Sequence, residues 1–385
     1  MRWIATIAAV VAVVGLLGPV PRAIQRVSDQ SAPQSLIRAQ WLHAVERHLP
    51  GAADEPALEV GRWSSADLGR TLLQLRRRPL PARMLIEGAL LHLDISLLVP
   101  IRATSPIFDA ERGVVESSDG SMVGAGSPAT HLEFGRALLD MLLPSPSHHQ
   151  SAAQWYRAAA AHLGGKYDHA NGLVHLSRAR RLFPRDAFVL FASGCLHEVL
   201  AAPQVQTVIE TTRLSHRESF DVESAGLHLR QAERFFAQAL ENDTTFHEAR
   251  VRLARVMSLQ GRQQEALAEL QKVRADLGDA VVAYLARLFA GRTEELLGRQ
   301  VAARKSFERA AALFPSAQSP QLALSRLAIV QGEREAASSV LSVLAAPVEN
   351  AARSDPWWTY HMGPGRAADA LIADFRYRVA SERLR

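Results

Sequence analysis

From about Trp155 to Leu344 a pattern of small and large apolar residues returns roughly every 34 residues, the spacing of a stacked helix-turn-helix unit. A unit of that length cannot bury its own apolar face, so the repeat demands a stack of hairpins. Small residues are needed where the two helices of one hairpin cross, and large apolar ones where successive hairpins meet. The first unit carries Trp155 and Tyr156 on one helix, Gly172, Leu176 and Ala179 on the next, and Pro184 at its close. In the second, Ser193 and Gly194 mark the crossing, and Ala232, Phe236 and Ala239 follow on the second helix. The third places Leu253, Ala254, Gly261, Ala266 and Leu270 in register. The fourth places Ala290, Gly291, Gly298, Ala303, Phe307, Ala310 and Pro315. A degraded fifth unit keeps Leu324, Gly332, Ala337 and Leu341.

Units of this kind in register resemble the tetratricopeptide repeat superfamily. The resemblance implies an all-α, right-handed solenoid of helical hairpins whose first helices line a concave, peptide-accepting groove. It covers residues 151–344; an additional helical region is expected over 35–144, interrupted by a Gly/Ser-rich loop at 100–130. The stretch 201–223, between the helices of the second unit, reads as an insertion holding Arg213, His216 and Arg217. Residues 345–385 read as a linker and a capping segment.

The register singles out an arginine directly after each crossing position: Arg255, Arg292 and Arg326. In tetratricopeptide folds that position faces the groove. The same resemblance puts Val251, Leu288 and Leu322 on one neighbouring row and Leu259, Leu296 and Val330 on another. A cationic row beside apolar strips suits a protein or peptide partner bearing carboxylates, each gripped by a guanidinium fork. Composition tempers this, since every basic residue except Lys166, Lys272 and Lys305 is Arg. A general surface feature, or pairing within the chain, remains the alternative. Trp357 and Trp358 likewise read either as a cap over the open end of the stack or as an anchor for a partner.

At the other end, Arg2 precedes an uncharged, mainly apolar run from Trp3 to Val20. The order suits a signal peptide over residues 1–23 or an uncleaved membrane anchor. Export is therefore expected, with the protein periplasmic, secreted or held in a bacterial inner membrane through residues 3–20.

The formal charge of +5 comes from 44 basic residues against 39 acidic ones, with no basic block, so no nucleic-acid partner is expected. Cys195 is the only cysteine, which excludes an intrachain disulfide. No HExxH, Walker, GxGxxG or GxSxG pattern occurs, and neither cofactor nor metal is expected. His92 with Asp94, and His131 with Glu133, are the fragments nearest to acid-base chemistry. Partners two apart on a helix point about 200° apart, which separates each pair. The expected function is a binding scaffold or chaperone-like adaptor of the cell envelope without chemistry of its own. An enzyme built on those four residues and the loop from Ser118 to Ser127 is the alternative, and an array that oligomerises through its ends is a third.

Overall fold

The computed structural model describes residues 75, 77, 80–98, 107–109, 114–116, 128–165, 169–203, 205–207, 224–273, 278–338, 355–360 and 362–383. The expected signal segment lies outside these residues. Among the described ones no helix is long and apolar enough to cross a membrane. The chain divides into two units, Met1–Pro144 and Ser145–Arg385.

In the first unit, helix α1 (Ala82–Leu98) pairs with α2 (Pro128–Asp140). Leu85, Ala89 and Leu93 of α1 and Leu132, Phe134 and Leu138 of α2 are buried. The stretch expected to be only a loop contains strands β1 (Ile107–Asp109) and β2 (Val114–Glu116), paired antiparallel with Phe108 opposite Val115. Ile107, Phe108, Val114 and Val115 favour extended backbone, a local signal masked by the surrounding glycines and serines.

The second unit is the tetratricopeptide-like solenoid. Its hairpins are α3 (His149–Gly165) with α4 (His169–Leu182), α5 (Ala187–Leu200) with α6 (Ala225–Asn242), α7 (His247–Leu259) with α8 (Gln263–Gln271), and α9 (Ala280–Leu296) with α10 (Gln300–Leu313). A fifth begins with α11 (Gln318–Val330) and turns into helical residues 334–338. Of the insertion, residues 208–223, with Arg213, His216 and Arg217, lie outside the described part.

Local chemistry explains where these helices begin and end. The Asp186 carboxylate accepts from the Phe188 and Val189 amides at the start of α5, and Asp279 accepts from Val281 and Val282 at the start of α9. Each side chain satisfies amides that have no partner within the helix. At the end of α9 Gly298 takes φ 72°, and the Arg299 amide reaches back to the Glu294 carbonyl at 2.8 Å. That closure needs a left-handed residue, and hairpins three and five repeat it.

The crossings show why small residues recur. A Cβ on Gly194 would stand 2.5 Å from the Phe236 ring, and one on Gly291 would stand 2.6 Å from the Phe307 ring. Each glycine is the socket for an aromatic on the second helix of its own hairpin. The first helices are buried on two sides. On α7, Leu253 and Val256 belong to a core shared with α5 and α6, while Val251 and Ala254 join the core of α8, α9 and α10.

The C-terminal segment consists of α12 (Pro356–Tyr360), a 3-10 stretch (Gly363–Ala367) and α13 (Ala368–Arg383). It does not cap the open end of the stack, contrary to expectation. Helix α12 packs against α9, the 3-10 stretch against α5 and α3, and α13 against α3. The tail therefore crosses the first helices in the reverse of their chain order.

Candidate peptide-binding groove

The arginine row sits at the centre of this crossing. Arg255 Nε lies 3.2 Å from Glu198 Oε1. Its guanidinium also stands 4.5 Å from the Trp357 ring centroid, 4.8 Å from that of Tyr360 and 5.1 Å from that of Phe289. Three aromatic faces around one cation give an attraction that strengthens as water is excluded. Arg292 reaches solvent, 5.9 Å from Trp357, and has no carboxylate at ion-pair distance among the described residues. Partial desolvation, then the like charges of Arg255 and Arg326, lower its pKa, as expected of cations brought into one row. Arg326 is 58% exposed and pairs with Glu295.

The apolar rows divide differently from expectation. Val251 and Leu288 are 0% and 1% exposed and lie inside the core, whereas Leu322 is 51% exposed. The register position is common to all three, but in hairpins three and four it faces the packing between hairpins. Leu259, Leu296 and Val330, at the last turns of their helices, are all largely exposed. Successive helical residues point about 100° apart, which separates the two tryptophans. Trp357 stacks on Tyr360 with ring centroids 5.3 Å apart and meets Phe289 edge-on, while Trp358 faces solvent.

Under the row lies an ionic network that the repeat register did not reveal. Arg252, 1% exposed, donates to Glu198 Oε2 at 3.0 Å, to Glu248 Oε1 at 3.2 Å and to the Tyr360 carbonyl at 2.7 Å. The Tyr360 hydroxyl donates to Glu198 Oε1 at 2.5 Å. Burial, then the Glu198 carboxylate, raise that phenol far above its ordinary value, so it remains a donor. Arg366 closes the far side by donating to Glu248 at 2.8 Å. Two sequence signals could have found this cluster. Arg252 stands between apolar Val251 and Leu253, and Glu198 is the one acid in the apolar run Val189–Leu200.

A second polar site holds the other end of α12. Asp355, 1% exposed, accepts from the Tyr284 hydroxyl at 2.5 Å, from the Trp357 amide at 2.9 Å and from the Ser319 amide at 2.6 Å. The N-cap residue of α11 is Ala317, which has no side-chain acceptor. The Asp355 carboxylate thus serves two helix starts, its own and that of α11, where helix dipoles favour negative charge. Burial, then the hydrogen bond to Asp355, raise the Tyr284 pKa and keep its proton in place.

Close backbone approach completes the docking. Gly363 has φ 54°, and a Cβ there would stand 3.0 Å from Cys195 Cβ; one on Gly164 would stand 2.9 Å from the Pro364 ring. Cys195 is buried beneath this contact, and burial pushes its thiol well above the ordinary range.

Of the residues considered for acid-base chemistry, only His92 has a described side chain. His92 is fully buried in the first unit with its ring 4.4 Å from that of Phe134. The side chains of Asp94, His131 and Glu133 lie outside the described part of the structure. Among the described residues no group of three His, Cys, Asp or Glu side chains is placed to hold a metal ion. What the groove assembles is recognition chemistry: a carboxylate socket, a cation under aromatic faces and a partly open arginine row.

No family model matches the chain, and no curated protein sequence does. Solved structures similar to it include MamA of MSR-1, at 16% identity and TM-score 0.36, matching 50% of this chain and 94% of that one. PilF of Pseudomonas aeruginosa matches at 16% identity and TM-score 0.40, over 60% of this chain and 93% of its own. YrrB, described as a TPR protein with an unusual peptide-binding site, matches at 16% identity and TM-score 0.36, over 54% of this chain and 90% of its own. Likeness at this level carries nothing about function, and the fold assignment rests on the hairpins themselves.

Proposed function

We propose that the chain is a protein-interaction scaffold that receives a partner segment on the face made by the first helices of its hairpins. The observation that carries this reading is that the face already holds a segment, Asp355–Tyr360, through a carboxylate socket and aromatic contacts. Arg292 and Arg326, at the less covered end of the row, would meet carboxylates of the partner, and exposed Leu259, Leu296, Leu322 and Val330 would take its apolar side chains. The apolar run Trp3–Val20 supports a place of work in the bacterial envelope, as an exported adaptor or assembly factor.

The test is a crosslinking pull-down from the envelope fraction with the full chain and with an Arg292→Glu, Arg326→Glu double variant. Loss of the captured partner at unchanged helicity is the expected result. Equal capture by both proteins would remove the arginine row from the function, and finding the full chain only in the cytosolic fraction would remove the envelope.

A further inference from the structure

The segment in the groove follows residues 339–354, runs on into the 3-10 stretch and α13 that dock on α5 and α3, and is held mainly by contacts distant in sequence. The ring of Trp357 and the carbonyl and hydroxyl of Tyr360 meet residues of α5, α7 and α9, and Asp355 meets α9 and the start of α11. None of the groups that receive it is specific to this chain's own tail. A hydroxyl and a helix-start amide donate to any carboxylate, and the Arg255 guanidinium beside the Phe289 ring attracts any aromatic face that reaches it. From this we infer that the tail is a resident competitor, and that the site beneath it binds a peptide carrying a carboxylate with aromatic residues two and five positions further on.

The inference rests on the scaffold reading and specifies the ligand of that same groove. The geometry sets the spacing. Asp355 fills the socket formed by Tyr284 and the Ser319 amide. Trp357, two positions on, packs between Arg255 and Phe289. Tyr360, five positions on, reaches the Glu198–Arg252 pair with its hydroxyl and carbonyl. A partner segment with the same spacing satisfies the same groups, and Arg292, unpaired among the described residues, stands beside the Trp357 position to meet a further carboxylate. Because the tail is tethered, its effective concentration is of the order of millimolar, and an untethered peptide meets a site that is mostly filled. Binding of the partner and release of the tail are then one event, and Gly363 is lifted from Cys195.

The probe is a fluorescent synthetic peptide reproducing residues 354–362 of the chain, titrated into the full-length protein. Wild type should bind it at least tenfold more weakly than the Trp357→Ala, Tyr360→Ala double variant, whose own tail competes for the carboxylate socket alone. A probe with Lys in place of the aspartate should bind neither protein. Gly363→Val, which obstructs tail seating at Cys195 and leaves the peptide socket intact, gives a second comparison should the double variant lose helicity. Equal affinity for wild type and a folded variant would overturn the inference, as would no binding to any folded variant. So would a wild-type dimer that dissociates in the variants, since that places the tail in a second copy. The charge-reversal test reads capture of a partner and the probe reads the tail's own site, so a partner lost on charge reversal together with a probe that never binds would sink the competitor and leave the scaffold standing.

Discussion

Arg255 and Arg326 occupy the same repeat position and live in different worlds. Arg255 is paired with Glu198 and enclosed by three aromatic rings, whereas Arg326 stands largely in solvent beside Glu295. The neighbouring apolar row splits in the same way, with Val251 and Leu288 buried and Leu322 exposed. The two ends differ because the tail covers hairpins one to four, and because hairpins three and four are packed on both sides. A repeat register assigns direction, but environment is set by whatever arrives from outside the repeat.

The largest effect is expected from Arg252→Met. It removes the cation from a buried pair and leaves Glu198 short of a partner, at a cost of about 3–5 kcal/mol. Denaturant unfolding of the full chain measures this. A loss below about 1 kcal/mol would show that the network does not hold the covered end together.

A second perturbation enters that end from the α6 side of α5, where His197 Nδ1 lies 3.1 Å from His228 Nδ1. Burial, then His228, Arg180 and Arg234, lower the His197 pKa from its ordinary 6.5 to about 4. The unfolded chain takes up this proton first, so the contribution is complete above pH 6.5, declines as pH falls, and levels off near pH 4. The loss should amount to about 1–2 kcal/mol after allowance for the residue's remaining exposure. Comparing stability across that range for wild type and His197→Phe checks it, and parallel pH profiles would disprove it.

The smallest effect belongs to the uncovered end. Arg326→Ala should change stability by no more than about 0.5 kcal/mol, as an exposed pair with Glu295 would suggest. A loss comparable to that of Arg252→Met would erase the distinction between the ends.

The hairpins were legible because each requirement is local. Gly194 and Gly291 had to be small to admit Phe236 and Phe307, and Gly298 had to follow α9 to turn the chain. The tail was legible as an aromatic element but not in its destination. Tyr360 meets Glu198 across 162 residues and Arg252 across 108, and no period encodes such a pairing. The buried Arg252 was hidden by composition, since an arginine draws little notice in a chain where nearly every base is one. Val251 and Leu288 were assigned to the groove because a single register cannot show that a first helix has two buried sides.

The hydrogen bond from Gln154 in α3 to Asp374 in α13 joins residues 220 apart. A solenoid in which each repeat touches only its neighbours can assemble as it leaves the ribosome, one hairpin after another. This one cannot be finished that way. Its first hairpin waits for α13, which is synthesised after every hairpin, and until then the face that α12 and α13 cover stays open to whatever else is present. The order of synthesis thus gives any competing segment its earliest access to the groove, before α12 and α13 have emerged.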